Sequence, residues 1–465
     1  MWFIGLWFIE SQFITTSVRL DKPETFLSKM EITLHSAERK RLAIAGAVLL
    51  CLAYLFLAGG FFVATLFGER PELSSLQRAA SLDPGNADYR DYLGRYYALV
   101  ARDPAAAIEP YRAAVEHNSH ASRYWFDLAS AYQVLGDLPH QSWALEHAIQ
   151  ADPTTPDVAW EAANFYLVQG EDQKALHEFH VVLENDPSMA SAAIQYCWHI
   201  LPDTDALLRD VVPARAEAYL AFLNLLMNKQ ETAATAKVWS ALMATSQTFE
   251  LRSVFGYVQY LFDHKDVDQA SLVWQQSVPR FGLSAYVPTG RNLIVNGDFG
   301  LDVLNGGFDW QYEKQRSVTL NLDPSDFHGG HRSLLITFDG PGVRDAGIRQ
   351  FIAVQPNTIY EFSGYYKNGE IEGAGGAHVT IQDAYNREVL YDSDELKETG
   401  YWKSTTGEFT TGPNTKLAVL HVRRLPEGSP IRGKLWIDDF HLTAKRHQPS
   451  EIAYPVPSTE KAKKN

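Results

Sequence analysis

A chain of 465 residues is too long for one ordinary domain, and its 46% hydrophobic and 12% aromatic content excludes wholesale disorder. A formal net charge of -15, with no Lys/Arg cluster in the body of the chain, excludes an ordinary nucleic-acid binder. Two cysteines, Cys51 in an apolar run and Cys197 far from it, exclude a disulfide framework and leave the compartment open.

The chain opens with an apolar stretch, Met1 to Ile9, that is too short to cross a membrane. Met30 begins a more conventional leader, so it is expected to be the natural start, with residues 1–29 not part of the structure. Arg39, Lys40 and Arg41 then precede an uncharged run from Leu42 to Phe67. That run can cross a hydrocarbon core of about 30 Å with some tilt. The basic triplet predicts a cytoplasmic segment 1–41, a transmembrane helix 42–67, and everything later outside. For a bacterium this means a single-pass inner-membrane protein with its bulk in the periplasm. The rival is a cleaved signal peptide, whose apolar region is usually about 7–15 residues, shorter than this one.

A repeat follows. Pro84, Ser119, Pro153 and Pro187 are spaced by 35, 34 and 34 residues, each after a similar helix end: "RAASLDP", "RAAVEHNS", "EHAIQADP", "VVLENDP". Within each period small pairs recur (Leu93-Gly94, Leu128-Ala129, Ala162-Ala163), with Tyr97, Tyr132 and Tyr166 three positions on. Ala107 and Ala175 hold the small position of the second helix, with Gln141 a departure. Tyr111, Leu145 and Phe179 are the bulky residues after it. Small residues let paired helices approach, large ones fill the groove to the next pair, and proline ends a helix at little expense. The pattern resembles tetratricopeptide repeats, which implies an all-α superhelix with a concave surface that holds a protein partner. The array is predicted over 70–285, with later pairs at Ala214–Asn228 with Glu231–Thr245, and Phe249–Asp263 with Val267–Val278. Some members of that family grip a C-terminal carboxylate with a Lys/Asn/Arg clamp. Arg90, Asp91, Arg95, Asp127, Gln133 and Asn164 do not match it.

From Val287 alternation replaces helical periodicity, and short strands bounded by Gly, Pro, Asn and Asp predict an all-β jelly-roll sandwich over 290–446. "NLIVNGDF" (292–299), "GGHRSLLI", "IRQFIAVQPNTIYEFSGYYKNG", Tyr401-Trp402 and "LWIDDFHL" follow in the order seen in carbohydrate-binding modules with a galactose-binding-like jelly roll. The domain resembles that family, which implies polysaccharide binding through aromatic faces. Trp310, Tyr312, Tyr366, Tyr385 and Tyr391 are the candidates, and plain packing of the sandwich is the competing reading. Trp402 and Trp436 are expected in the core. Tyr360, Phe362 and Tyr366 share one strand face and Tyr365 the other, and either face can be core. Period two also places Asp438 with Trp436, Phe440 and Leu442, so its carboxylate needs a metal or backbone N–H groups. The family resemblance implies structural Ca²⁺ on Asp438 and Asp298, although Gly300 replaces the Glu usual after "GDF". No other cofactor is implied.

His328-Gly-Gly-His331 reads as a turn. Asp438 and Asp439, neighbours on a strand, cannot flank one glycosidic bond. No catalytic motif is found, and the tail 447–465 is polar and expected to be disordered. The expectation is a non-enzymatic, membrane-anchored scaffold of the bacterial envelope, similar in architecture to accessory proteins of exopolysaccharide synthesis or export. The alternatives are a pure protein–protein adaptor and, more remotely, a glycan-processing enzyme.

Overall fold

The computed structural model describes residues 37–397 and 400–445. The expected start at Met30, the segment 1–29 and the tail 447–465 lie outside the described residues. Fourteen α-helices among those residues precede two antiparallel sheets. The chain divides into two compact units, one ending at Leu145 and the other beginning at Glu146.

In the first unit α1 (Ala37–Gly68) is long and apolar enough to cross a membrane. Its side chains stay mostly exposed as far as Ala64, which is fully buried. Ala64 joins Leu76, Ala79 and Ala80 of α2 (Leu73–Leu82) and Tyr89 and Leu93 of α3 (Ala87–Arg95) in one apolar cluster. The packed helical region therefore takes in the last turn of α1, ahead of the boundary expected at residue 70. α3 starts on an Asn86 side chain that accepts from the Asp88 amide at 3.0 Å, and continues as a π-helical turn, Tyr96–Val100. α4 (Pro104–His117) starts with Asp103 capping the Ala106 amide and proline in its first turn, where a missing N–H is harmless. Tyr111 of α4 lies over Gly94, where a Cβ would overlap its ring, so the small-and-bulky pattern is the packing itself. α5 (Ser122–Leu135) ends on Gly136 at φ 74°, a left-handed cap that glycine adopts without strain. α6 (Leu138–Ala151) carries the chain from one unit to the next.

The second unit continues with α7 (Pro156–Gln169), α8 (Asp172–Asn185), α9 (Ala190–Ile200), the short α10 (Thr204–Asp210), α11 (Ala216–Lys229), α12 (Thr232–Ala244), α13 (Leu251–Asp263) and α14 (Val267–Ser277). The last four match the two expected late pairs. α10 has no counterpart in the repeat pattern.

The sandwich packs one sheet of order β1-β4-β9-β6-β7 against another of order β2-β3-β10-β5-β8. The strands are β1 (Gln311–Tyr312), β2 (Val318–Asp323), β3 (Ser333–Gly340), β4 (Asp345–Ala353), β5 (Ile359–Gly373), β6 (Ala377–Asp383), β7 (Val389–Asp392), β8 (Lys403–Thr410), β9 (Leu417–Arg424) and β10 (Ile431–Ala444). Ile336, Ile348, Phe362, Val379, Leu420 and Leu435 meet between the sheets. The opening segment 292–299 forms turns. It is pinned by the Gln350 side chain, which accepts from the Val295 amide at 3.0 Å and donates to the Val295 carbonyl at 2.8 Å.

Two expectations about β10 need correction. Its register against β5 shifts between Asp438 and His441, and Asp439 sits at φ 51°. This bulge breaks period two. Leu435 and Ile437 face the core before it and Phe440 and Leu442 after it, so Asp438 shares a side with Trp436 alone. Trp436 is accordingly not core, and neither is Trp402, which lies just ahead of β8. Trp436 is only part-buried, donates to Asp323 at 2.8 Å and carries Lys367 over its ring, and Trp402 is part-buried with its ring centroid 5.9 Å from that of His328.

Candidate functional site

The outer face of the β1-β4-β9-β6-β7 sheet carries a groove of about 430 Å³. Its floor comes from strand alternation. Ile348, Ile352, Leu420 and Val422 point inward, so Arg349, Val419 and His421 point out, with Arg349 directly opposite His421. Gln382 stands opposite Val419 on the next strand. The register shifts between Asp345 and Arg349, and Asp345 faces the groove with its carboxylate 2.8 Å from His421 Nδ1. Arg349 lies 5.4 Å from the centroid of the Phe351 ring and forms no ion pair among the described residues.

β1 builds the wall. Gly347, at φ 77°, lets the Glu313 carbonyl approach so closely that any Cβ would overlap it, and the Glu313 amide donates to the Gly347 carbonyl at 2.8 Å. The Tyr312 amide donates to Asn305 Oδ1 at 2.9 Å, and Tyr312, 54% exposed, lines the groove. Gln311 donates to the Gly307 carbonyl at 3.1 Å. The groove thus offers one exposed aromatic ring among amide, guanidinium, imidazole and carboxylate groups. That combination suits a ligand with alternating apolar faces and hydroxyls.

The five aromatic candidates do not converge. Tyr312 alone lines the groove. Trp310 is fully buried, stacked on Phe299 at 5.1 Å and donating to the Asn296 carbonyl, so it has no face to offer. Tyr366 is 5% exposed and belongs to the core with Tyr360 and Phe362, which settles which face of β5 is inward. Tyr385 is half-buried beneath Lys265, 5.4 Å from its ring centroid, and its hydroxyl is buried without a hydrogen-bond partner. Burial raises that hydroxyl's pKa to about 12. Tyr391 packs on Phe362 at 5.2 Å and lies across Gly407.

Asp438 is fully buried. One oxygen accepts from the His328 and Gly329 amides at 2.7 and 3.0 Å, the other from the Asp439 amide at 2.8 Å. Backbone N–H groups, one of the two partners expected for it, are present. Burial raises its pKa and the three donors work against that rise. Asp298 accepts from the Gly300 amide at 3.1 Å. Among the described residues no group of three or more His, Cys, Asp or Glu is placed to hold a metal. His328 sits exposed in the expected turn, its ring stacking on Tyr365 at 3.5 Å and its Nδ1 meeting Asp439.

Arg349, His421, Gln382, Gln311 and Asp345 were not among the candidates. Alternation in "IRQFIAVQ" and "LAVLHVRR" places Arg349 on the side away from Ile348 and Ile352 and His421 on the side away from Leu420 and Val422, but nothing in it says that those sides share one open sheet.

A family model described as a carbohydrate binding domain matches residues 291–425. Among solved structures, the chain is similar to the xylan-binding CBM22-1 domain of Xyn10C from Paenibacillus barcinonensis (17% identity, 32% of this chain and 91% of that one, TM-score 0.23). It is similar to TmCBM61 in complex with β-1,4-galactotriose (18% identity, 33% and 99%, TM-score 0.23). It is also similar to pilF of Pseudomonas aeruginosa (15% identity, 48% and 92%, TM-score 0.23). No curated protein matches. Residues 291–425 of this chain thus match a carbohydrate binding domain.

Proposed function

We propose that the protein is a membrane-anchored, non-enzymatic scaffold of the bacterial envelope whose sandwich binds polysaccharide in the Tyr312 groove. α1 anchors it, with the N-terminus cytoplasmic and the bulk periplasmic. The helical region, read as tetratricopeptide-like, holds a protein partner, and the assembly serves exopolysaccharide synthesis or export. One observation carries the glycan half: an exposed Tyr312 ring set among Gln311, Arg349, Gln382 and His421 on an open sheet face. A glycan array probed with full-length protein in detergent tests it. Binding to a β-linked polysaccharide, weakened about tenfold by Tyr312→Ala, supports the reading. Full binding by the variant moves the site elsewhere.

A pure protein–protein adaptor is the second reading. It is favoured by the burial of Trp310 and Tyr366 and by the contact of Tyr385 with Lys265. No binding to any glycan on the array selects it.

A further inference from the structure

We propose that Arg70 and Arg78 form a site for the phosphate of an anionic lipid headgroup. The proposal rests on the reading that α1 crosses the bilayer. No flexible linker separates that helix from the folded unit. Ala64 is buried against α2, Tyr89 lies over Gly68 so closely that a Cβ there would overlap its ring, and only Glu69 to Glu72 join the two helices. Depth along α1 therefore sets the depth of what packs on it. From Leu42, just after the basic triplet, to Ala64 the helix rises about 33 Å, roughly one hydrocarbon thickness. Phe67 lies about one turn beyond, within the headgroup layer of roughly 5–7 Å on that side.

Two guanidinium groups converge on that phenylalanine. Arg70 approaches its ring centroid to 5.8 Å and Arg78, from α2, to 5.5 Å. Both arginines are exposed, and neither forms an ion pair or a side-chain hydrogen bond among the described residues. Two exposed guanidinium groups beside one ring, neither in an ion pair, favour an anion in their vicinity. A phosphate supplies that charge and accepts from both planar forks. The pair thus holds the first helices of the unit down on the membrane from which α1 emerges.

The test uses full-length protein in detergent, with native mass spectrometry after addition of phosphatidylglycerol, phosphatidylcholine or inorganic phosphate. Phosphatidylglycerol should bind in preference to phosphatidylcholine. The double variant Arg70→Gln/Arg78→Gln should weaken it about twenty-five-fold, roughly fivefold per arginine, while Arg70→Lys/Arg78→Lys keeps part of the affinity. Unchanged circular dichroism and melting show that the variant folds, as expected for exposed side chains. Equal affinity of wild type and double variant, or phosphatidylcholine bound as tightly, overturns the proposal. Inorganic phosphate bound while phosphatidylglycerol is not overturns the lipid as its source. Alkaline carbonate extraction of native membranes is the separate check on the anchor: release of the protein sinks the transmembrane reading and this proposal with it, whereas retention with no lipid preference sinks the proposal alone.

Discussion

At the scale of single residues, the departures from pattern are where stability is open to change. Gln141 occupies a position held by alanine in the neighbouring periods, is fully buried, and has no hydrogen-bond partner for either amide atom. An unmade hydrogen bond of this kind costs about 1–3 kcal/mol. Gln141→Ala is expected to stabilise the protein by about 1 kcal/mol, read as a rise in the denaturant midpoint at unchanged slope. Glu178 of α8 is 6% exposed, and burial raises its pKa to about 7. The folded state then keeps a proton that the unfolded state releases near pH 4.5. Stability from this group is full below that pH, falls as pH rises towards 7, and stays lost above it. Glu178→Gln should be more stable than wild type at pH 8, by on the order of 2 kcal/mol, with the difference vanishing near pH 4 in paired urea titrations.

Among elements, β10 shows how one extra residue redirects a strand. The bulge at Asp438 and Asp439 lets four apolar residues face the core on either side of it and turns Asp438 towards the 328–329 loop, whose amides it gathers. Asp438→Ala would leave three N–H groups without their acceptor and should destabilise by about 3 kcal/mol. Calcium and a chelator test the cation expected on Asp438 and Asp298: a rise in the wild-type melting temperature with calcium supports that expectation, and an unchanged melting temperature with both counts against it. The run "LWIDDFHL" reads correctly as a strand, but a bulge is invisible to period-two counting, since nothing in Asp-Asp marks which residue is extra.

For the whole molecule, the second unit joins helices and sandwich through a mixed interface. Phe262 of α13 meets Phe308 and Phe351 at 5.0 and 5.1 Å, Trp274 of α14 donates to the Tyr286 carbonyl, and Gly306 and Gly307 fit against Phe255 and Trp274, where any Cβ would overlap the rings. The last helix pair therefore is covered by the sandwich, although a terminal repeat is ordinarily expected to face water. Phe262→Ala should destabilise this unit by about 3–5 kcal/mol, the range for a buried phenylalanine. Breaking the exposed Lys416–Asp268 pair by Lys416→Ala should change stability by less than about 1 kcal/mol. Comparable losses in calorimetry would mean that charge, not aromatic packing, holds the two parts together.

The order of parts was legible in the chain itself: an uncharged run, helix pairs with small and bulky residues at fixed offsets, then alternating strands. Hydrophobic periodicity and the steric demands of close helix crossing are local, so one sequence displays them. What lies on one face was not legible. Trp310 and Tyr312 are two residues apart, yet one is sealed in the core and the other stands open at the groove. Arg349 and His421 become neighbours only when β4 pairs with β9. Register, bulges and the docking of α13 and α14 decide those meetings, because they are set by contacts between residues far apart in the chain.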